Sequence, residues 1–197
     1  IMKKNLTEIV CIIDNSGSMG LIKKAAIEGF NNFIKAQREV EGEALVSVVL
    51  FNTERTYVAK RENINEIALL TDTTYKTGGG TALNDTLGTV INDVGQAIVG
   101  MKRKDQPSKV LFCIVTDGEE NASKEFSSKQ VRHLVEYRKE MFKWDFMFMG
   151  ANQDVTKTAK TYAFNEESTF AFDATERGML KACADMTNYT ACYRTSK

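Results

Sequence analysis

Short unbroken apolar runs recur along the chain and are separated by longer segments of mixed polarity. Such runs are typical of strands buried on both faces of a parallel sheet. A polar turn at residues 52–54 leads into residues 55–59, which we predict to pair antiparallel at one edge of the sheet. Residues 169–172 are predicted as another edge strand. The remaining predicted strands are residues 9–13, 45–51, 110–115 and 144–149.

The segments between the strands carry apolar residues at helical spacing. Ser127 and Gln130 form a capping-box pattern, which marks the start of one helix, and Thr175 is expected to cap the last. Pro107 is predicted to lie in a polar loop. The predicted helices cover residues 22–40 and 83–100, then begin after Ser127, after residues 150–154 and after Thr175.

Strands that alternate with helices in this way predict an α/β fold with helices on both faces of a mostly parallel sheet. We expect one domain over residues 1–197, built as a doubly wound, Rossmann-like three-layer sandwich of about six strands with one antiparallel edge strand. The strands ending at Asp14 and Asp117 are then neighbours. Ligands bind such sheets at the carboxyl ends of the strands, where the winding direction reverses.

The charge of the chain is balanced, with 26 basic and 26 acidic residues. No long-range field therefore favours nucleic acid or an anionic membrane as a partner. No run reaches the roughly 18 apolar residues that a membrane span requires, and the first residues lack the apolar stretch of a signal peptide. We expect a cytoplasmic protein with buried free thiols and no zinc site, because its four cysteines form no CxxC pair.

Five oxygen-bearing side chains are the candidate chemistry. Asp14, Ser16 and Ser18 follow the first predicted strand at alternating positions, and Gly17 allows the loop to turn tightly. Thr81 follows three glycines at the start of a helix, and Asp117 ends the neighbouring strand. Hard cations such as Mg²⁺ prefer ligands of this kind. Two carboxylates and three hydroxyls would leave a coordination position open, which predicts binding or catalysis.

The same residues resemble the metal-ion-dependent adhesion site of von Willebrand factor A (VWA) domains. The matching motifs are Asp14-Asn15-Ser16-Gly17-Ser18, Thr81 in Gly-Gly-Thr-Ala-Leu, and Thr116-Asp117-Gly118. Their flanking residues look most similar to cytosolic bacterial or phage members of the family. These flanking residues are Tyr75, residues 117–121 and residues 149–154.

The resemblance implies a site for Mg²⁺ or Mn²⁺ whose coordination is completed by an acidic residue of a partner protein. Carried over from the family, Ser16, Ser18 and Thr81 are direct ligands, and Asp14 and Asp117 bind directly or through water. The partner would present an Asp or Glu. The resemblance also implies that the terminal helix either switches conformation with the metal or only covers the sheet.

Several residues near these motifs have two interpretations. Asp85 either braces the site or favours the positive end of its helix. Glu119 and Glu120 are more simply explained as solvated loop charges, whereas Asn121 is a candidate for fixing its loop. Helix capping accounts for at least one residue of the segment 152–154, and His133 is expected on the surface.

Three functions are compatible with the sequence. The first is a non-enzymatic, metal-dependent protein interaction module. The second is a metal-dependent phosphatase or hydrolase with Asp14 as nucleophile, although Ser16 stands where haloacid-dehalogenase-type phosphatases carry a second Asp. The third is a scaffold subunit with a vestigial metal site. Nucleotide binding is disfavoured, because no Lys follows the glycines in Walker order.

Overall fold

A six-stranded sheet is the centre of the fold in the computed structural model, which describes residues 3–196. The strands lie in the order β3-β2-β1-β4-β5-β6, and all neighbours are parallel except the antiparallel pair β2 and β3. This confirms the predicted α/β fold and its antiparallel edge strand. The strands are β1 (Lys3–Asp14), β2 (Glu43–Phe51), β3 (Arg55–Asn63), β4 (Pro107–Thr116), β5 (Asp145–Gly150) and β6 (Thr169–Ala171).

Five α-helices cover both faces of the sheet. Alternate residues of β1 divide between the two apolar cores: Ile9 and Cys11 pack with α1 and α5, whereas Val10 and Ile12 pack with α2, α3 and α4. Successive side chains of a strand point to opposite faces of the sheet. Because both faces are covered here, the strand needs a continuous apolar run. The helices are α1 (Lys23–Arg38), α2 (Leu83–Val99), α3 (Ser128–Phe142), α4 (Val155–Tyr162) and α5 (Glu176–Thr195).

The first strand is longer than its apolar run predicts. Thr7 and Glu8 continue the parallel pairing with β2, and Glu8 is completely buried. The guanidinium of Arg61 makes a bidentate ion pair with the Glu8 carboxylate, with nitrogen to oxygen distances of 2.9 Å. A charge that has a partner in a distant strand cannot be recognised as buried from local pattern.

Other details confirm or correct the sequence interpretation. The Ser127 capping box is present, and the Thr175 hydroxyl accepts a hydrogen bond from the Gly178 amide. Pro107 was wrongly assigned to a loop, because it is the buried first residue of β4. All four cysteines are free thiols, but Cys192 is exposed, in contrast to the expected burial. Within residues 3–196, no helix is long and apolar enough to cross a membrane.

Candidate metal centre

The five predicted site residues meet at the carboxyl ends of β1 and β4. Asp14 is the last residue of β1, and Asp117 directly follows β4, its neighbour in the sheet. Ser16 and Ser18 lie in the loop after β1, and Thr81 lies just before α2. The crevice where the winding direction reverses therefore contains oxygen atoms from three segments of the chain.

Hydrogen bonds link the two serines to Asp117. Ser16 Oγ lies 3.2 Å from Ser18 Oγ, and Ser18 Oγ donates to Asp117 Oδ1 over 2.5 Å. A Cβ atom built on Gly118 would lie 3.4 Å from Thr81 Oγ1 and 3.9 Å from Ser18 Oγ. The Thr81 and Ser18 hydroxyls therefore border the same part of the crevice, and Gly118 places no side chain in it.

The carboxylate of Asp14 is held on both sides. Its Oδ1 accepts a 2.6 Å hydrogen bond from the Ser16 amide, and its Oδ2 accepts one of 2.6 Å from the Thr116 hydroxyl. The buried Tyr75 hydroxyl donates to the main-chain oxygen of Asp14. These contacts fix the direction of the carboxylate and occupy a lone pair on each of its oxygens.

The two carboxylates of the site have no basic partner among the residues that the structure describes. Asp14 and Asp117 are buried, and burial raises the pKa of each carboxyl group, although hydrogen bonds from Thr116, Ser16 and Ser18 oppose the shift. None of the ion pairs described within residues 3–196 includes either carboxylate. Burial of two neighbouring carboxylates without a counter-ion favours the binding of a proton or a cation.

The chemistry of the donors limits which cation fits. Within the described part of the chain, no three His, Cys, Asp or Glu side chains converge as a metal cluster. A cation at this site would therefore depend on the hydroxyl groups of Ser16, Ser18 and Thr81 in addition to the carboxylates. Oxygen donors of this kind are the ligands that hard divalent cations prefer.

The triple-glycine loop brings Thr81 to the site. The Gly79 oxygen accepts a 3.1 Å hydrogen bond from the Gly17 amide, and the Gly80 amide donates to Thr53 Oγ1 over 2.9 Å. Gly79 has a φ of +75°, and a Cβ there would lie 2.7 Å from Thr53 Oγ1. Only glycine allows this approach, so the loop is a positioning element.

Hydrogen bonds between α2 and the loop after Asp117 brace the site in ways that the sequence left open. The Asp85 carboxylate accepts hydrogen bonds from the amides of residues 124–126, so it fixes this loop.

Asn121 Oδ1 accepts a hydrogen bond from the Thr81 amide, as expected of a loop-fixing residue. Glu120 is not simply solvated, because its carboxylate accepts from the Asn84 amide at the start of α2 and from the Ala122 amide.

The loop after β5 supports Asp117 from the other side. Asn152 Nδ2 donates to the Asp117 main-chain oxygen over 3.1 Å, and Gln153 Nε2 donates to the Gly118 oxygen over 2.9 Å. Asp154 instead caps α4 through the Lys157 amide.

His133 is exposed and lies 3.7 Å from Glu136, in agreement with a surface role. The hydrogen bond from Thr116 to the Asp14 carboxylate was not predicted from the sequence. The position of Thr116 directly before Asp117 is the signal that could have indicated it.

Fold and site together define the class of this protein as a Rossmann-like α/β domain with an acidic, hydroxyl-lined crevice. The von Willebrand factor type A domain family matches residues 8–184, which is most of the chain. The chain therefore belongs to the VWA domain family. Members of this family often mediate metal-dependent protein interactions, and they are generally not enzymes. No curated protein matches the chain significantly.

Solved structures show the same fold at low sequence identity. The vWF domain of the type V pili tip protein Mfa5 from Porphyromonas gingivalis has a TM-score of 0.66 and 11% identity, and the match covers 98% of both chains. Proximal thread matrix protein 1 from the mussel byssus, with a zinc-occupied MIDAS motif, has a TM-score of 0.65 and 13% identity over 95% of this chain. This chain spans 46% of that one, about half its length.

Proposed function

We propose that this protein is a protein interaction module that works through a divalent cation bound at the crevice. The observation that carries the proposal is a pair of buried carboxylates, Asp14 and Asp117, which lie beside three hydroxyl groups and have no basic partner within residues 3–196. Bound Mg²⁺ or Mn²⁺ would supply a positive charge with a coordination position for an outside oxygen ligand. The partner protein would fill that position with an Asp or Glu.

Each residue of the chain has a distinct part in this proposal. Ser16, Ser18 and Thr81 would hold the ion through their hydroxyl oxygens, and Asp117 through its carboxylate. Asp14 suits contact through water, because both of its oxygens already accept hydrogen bonds. Only two formal negative charges face the ion, so it retains its attraction for a carboxylate from outside.

The surface beside the crevice supports a macromolecular partner. Ser18 is exposed, whereas Asp14 and Ser16 are buried, so the cation would be approached from the Ser18 side. Leu21, three residues further along in the 3-10 helix Ser18–Ile22, has 87% of its surface exposed. An apolar side chain beside a charged contact is a common arrangement at interfaces. We place the acidic residue of the partner at the cation and an apolar neighbour over Leu21.

The geometry disfavours the rival hydrolase function. A nucleophilic Asp14 would need an oxygen open to the substrate, yet this residue is completely buried and both oxygens are hydrogen bonded. Turnover of p-nitrophenyl phosphate with Mg²⁺, abolished by Asp14→Asn, would instead establish the hydrolase.

The four free thiols support a reducing compartment. We therefore retain the cytoplasm of a bacterium, or of a phage-infected bacterium, as the proposed location.

Calorimetry tests the metal site. Mg²⁺ or Mn²⁺ should bind the wild-type protein with one-to-one stoichiometry, and Asp117→Ala should abolish binding while circular dichroism stays unchanged. Asp93→Asn is the matched control, because this carboxylate lies on α2, where it contacts Tyr57 and Lys60. Wild-type protein that binds no divalent ion at millimolar concentration would favour the scaffold function with a vestigial site.

A pull-down tests the interaction itself. Immobilised wild-type protein should retain a partner in Mg²⁺ and release it in chelator, and the Asp117→Ala protein should retain none. A purified partner then allows its Asp and Glu residues to be replaced one at a time. Retention that is equal in Mg²⁺ and in chelator would contradict the proposal.

A further inference from the structure

The carboxyl end of α3 exposes an unusual group of apolar side chains. Five large apolar residues are exposed within the described part of the chain, and three of them lie in the last six residues of this helix. The exposed fractions are 51% for Tyr137, 64% for Met141 and 46% for Phe142. Single exposed apolar residues are normal, but a contiguous group marks an interaction surface.

Arg138 lies in the middle of this group. Its guanidinium carbon lies 5.6 Å from the ring centre of Tyr137, 5.4 Å from that of Phe142 and 4.8 Å from that of Trp144. A Cβ built on Gly95 of α2 would lie 2.1 Å from Arg138 Nη2, so the side chain lies against bare helix backbone. Aromatic rings and a helix surface thus form a collar around one cation.

The guanidinium at the centre of this collar has no anionic partner in the described part of the chain. Across residues 3–196, its nitrogens have no described hydrogen-bond acceptor or carboxylate partner, and Nε is buried. Burial lowers the pKa of the Arg138 guanidinium. Arg132, on the same helix, pairs with Glu136 at 2.8 Å. A partly desolvated cation without an anion is costly, and a partner that supplies a carboxylate would remove that cost.

We propose that Arg138 and its collar form a second docking surface, for a protein segment that presents a carboxylate between apolar side chains. Arg, Tyr, Met, Phe and Trp are the residues enriched in the energetically important centres of protein interfaces. The guanidinium would donate to the carboxylate, while Tyr137, Met141 and Phe142 would contact its apolar neighbours. This surface goes beyond the proposed metal-dependent function and does not need it.

The surroundings distinguish this occupant from others. A nucleic acid would need several unpaired cations in a row, but the neighbouring Lys139 donates to Ala163 and Asn165. The surface is also remote from the metal centre. Asp145, at the start of β5, pairs with Leu111, six residues before Asp117, which corresponds to about 20 Å along the strand. One domain would then hold two partners at opposite ends.

The test selects binders of the full chain from a displayed library of random dodecapeptides. The selection is done in chelator, so that no divalent cation is available to the metal centre. Enriched peptides should carry Asp or Glu flanked by Leu, Phe or Met. Their synthetic forms should change the fluorescence of Trp144, the only tryptophan in the chain, and peptides with Asn or Gln in place of the acid should not. Arg138→Met should weaken binding by about ten-fold or more.

Matched variants make the outcome decisive. Arg132→Met removes a paired arginine from the same helix and should bind like the wild type. If Arg138→Met does not fold, the exposed pair Tyr137→Ser and Met141→Ser takes its place with the same expected loss. The proposal would be overturned if these variants bound the peptides as tightly as the wild type, or if the enriched peptides lacked an acidic residue. It would also be overturned if the surface preferred single-stranded DNA to the peptides, or if the protein associated with itself and Met141→Ser abolished that association.

Discussion

The hydroxyl of Thr116 donates to Oδ2 of Asp14 over 2.6 Å and so joins the ends of β4 and β1. Thr116 is completely buried, and its oxygen also accepts a hydrogen bond from the Gly118 amide. One side chain therefore fixes both the first carboxylate of the site and the turn that carries the second. Residues that orient metal ligands in this way commonly change metal affinity when they are replaced.

Thr116→Val should weaken Mg²⁺ or Mn²⁺ binding by about 10-fold to 100-fold, because the shape is kept while the donor to Asp14 is lost. Calorimetric titration measures the change. Thr190→Val is the control, since this buried threonine lies on α5 and its hydroxyl contacts Cys113. Equal affinities in the two variants would show that Thr116 does not orient the site.

Tyr75→Phe should lower the free energy of unfolding by about 1–2 kcal/mol, because the main-chain oxygen of Asp14 then loses its described side-chain donor in a buried position. Urea denaturation measures this effect. Tyr137→Phe is the matched control, since its ring is half exposed. A loss no larger than that of the control would mean that the Tyr75 hydroxyl does not stabilise the loop.

Arg61→Met should destabilise the fold by about 3–5 kcal/mol at neutral pH, because it leaves the Glu8 carboxylate buried and unpaired. Burial already raises the pKa of Glu8, and the Arg61 contacts oppose that shift. The folded variant therefore binds a proton more readily than the unfolded chain, so stability is lost as the pH rises through the folded-state pKa.

The Arg61 effect should consequently be smaller at about pH 5 than at about pH 8, as measured by urea denaturation at both values. The double variant Glu8→Gln with Arg61→Met is the control, because it has no carboxylate to titrate. The gap between the single and double variants should narrow at low pH. A gap that is constant with pH would show that Glu8 is not the titrating group.

Gly29→Ala should lower the free energy of unfolding by about 1–3 kcal/mol, because α1 and α5 are in close contact there. The added Cβ would lie 2.6 Å from Cys183 Sγ and 2.8 Å from its Cβ. Gly100→Ala, at the end of α2, meets nothing closer than 3.5 Å and should be neutral or slightly stabilising. Thermal unfolding of both variants gives the comparison, and an equal response would refute close packing at Gly29.

Local pattern was sufficient for most elements of the fold. The apolar run of residues 9–13 marks a strand buried on both faces, and Ser127 with Gln130 marks a helix start, because both signals arise from neighbours in sequence. The pattern failed at Glu8 and Pro107, where polar or ring-constrained residues continue a strand. Their burial depends on contacts with distant segments, and those contacts leave no local signal.

The sequence by itself determined the fold class and predicted which oxygen-bearing side chains form the candidate site, since the spacing of Asp14, Ser16 and Ser18 after a strand is a local property. Only the tertiary structure decided how Thr116, Tyr75 and Asn152 brace that site, and that Arg138 lies among aromatic rings with no anion from the described residues beside it. Each of these facts depends on hydrogen bonds and ring contacts between elements, and the direction of a side chain across an interface is decided by packing.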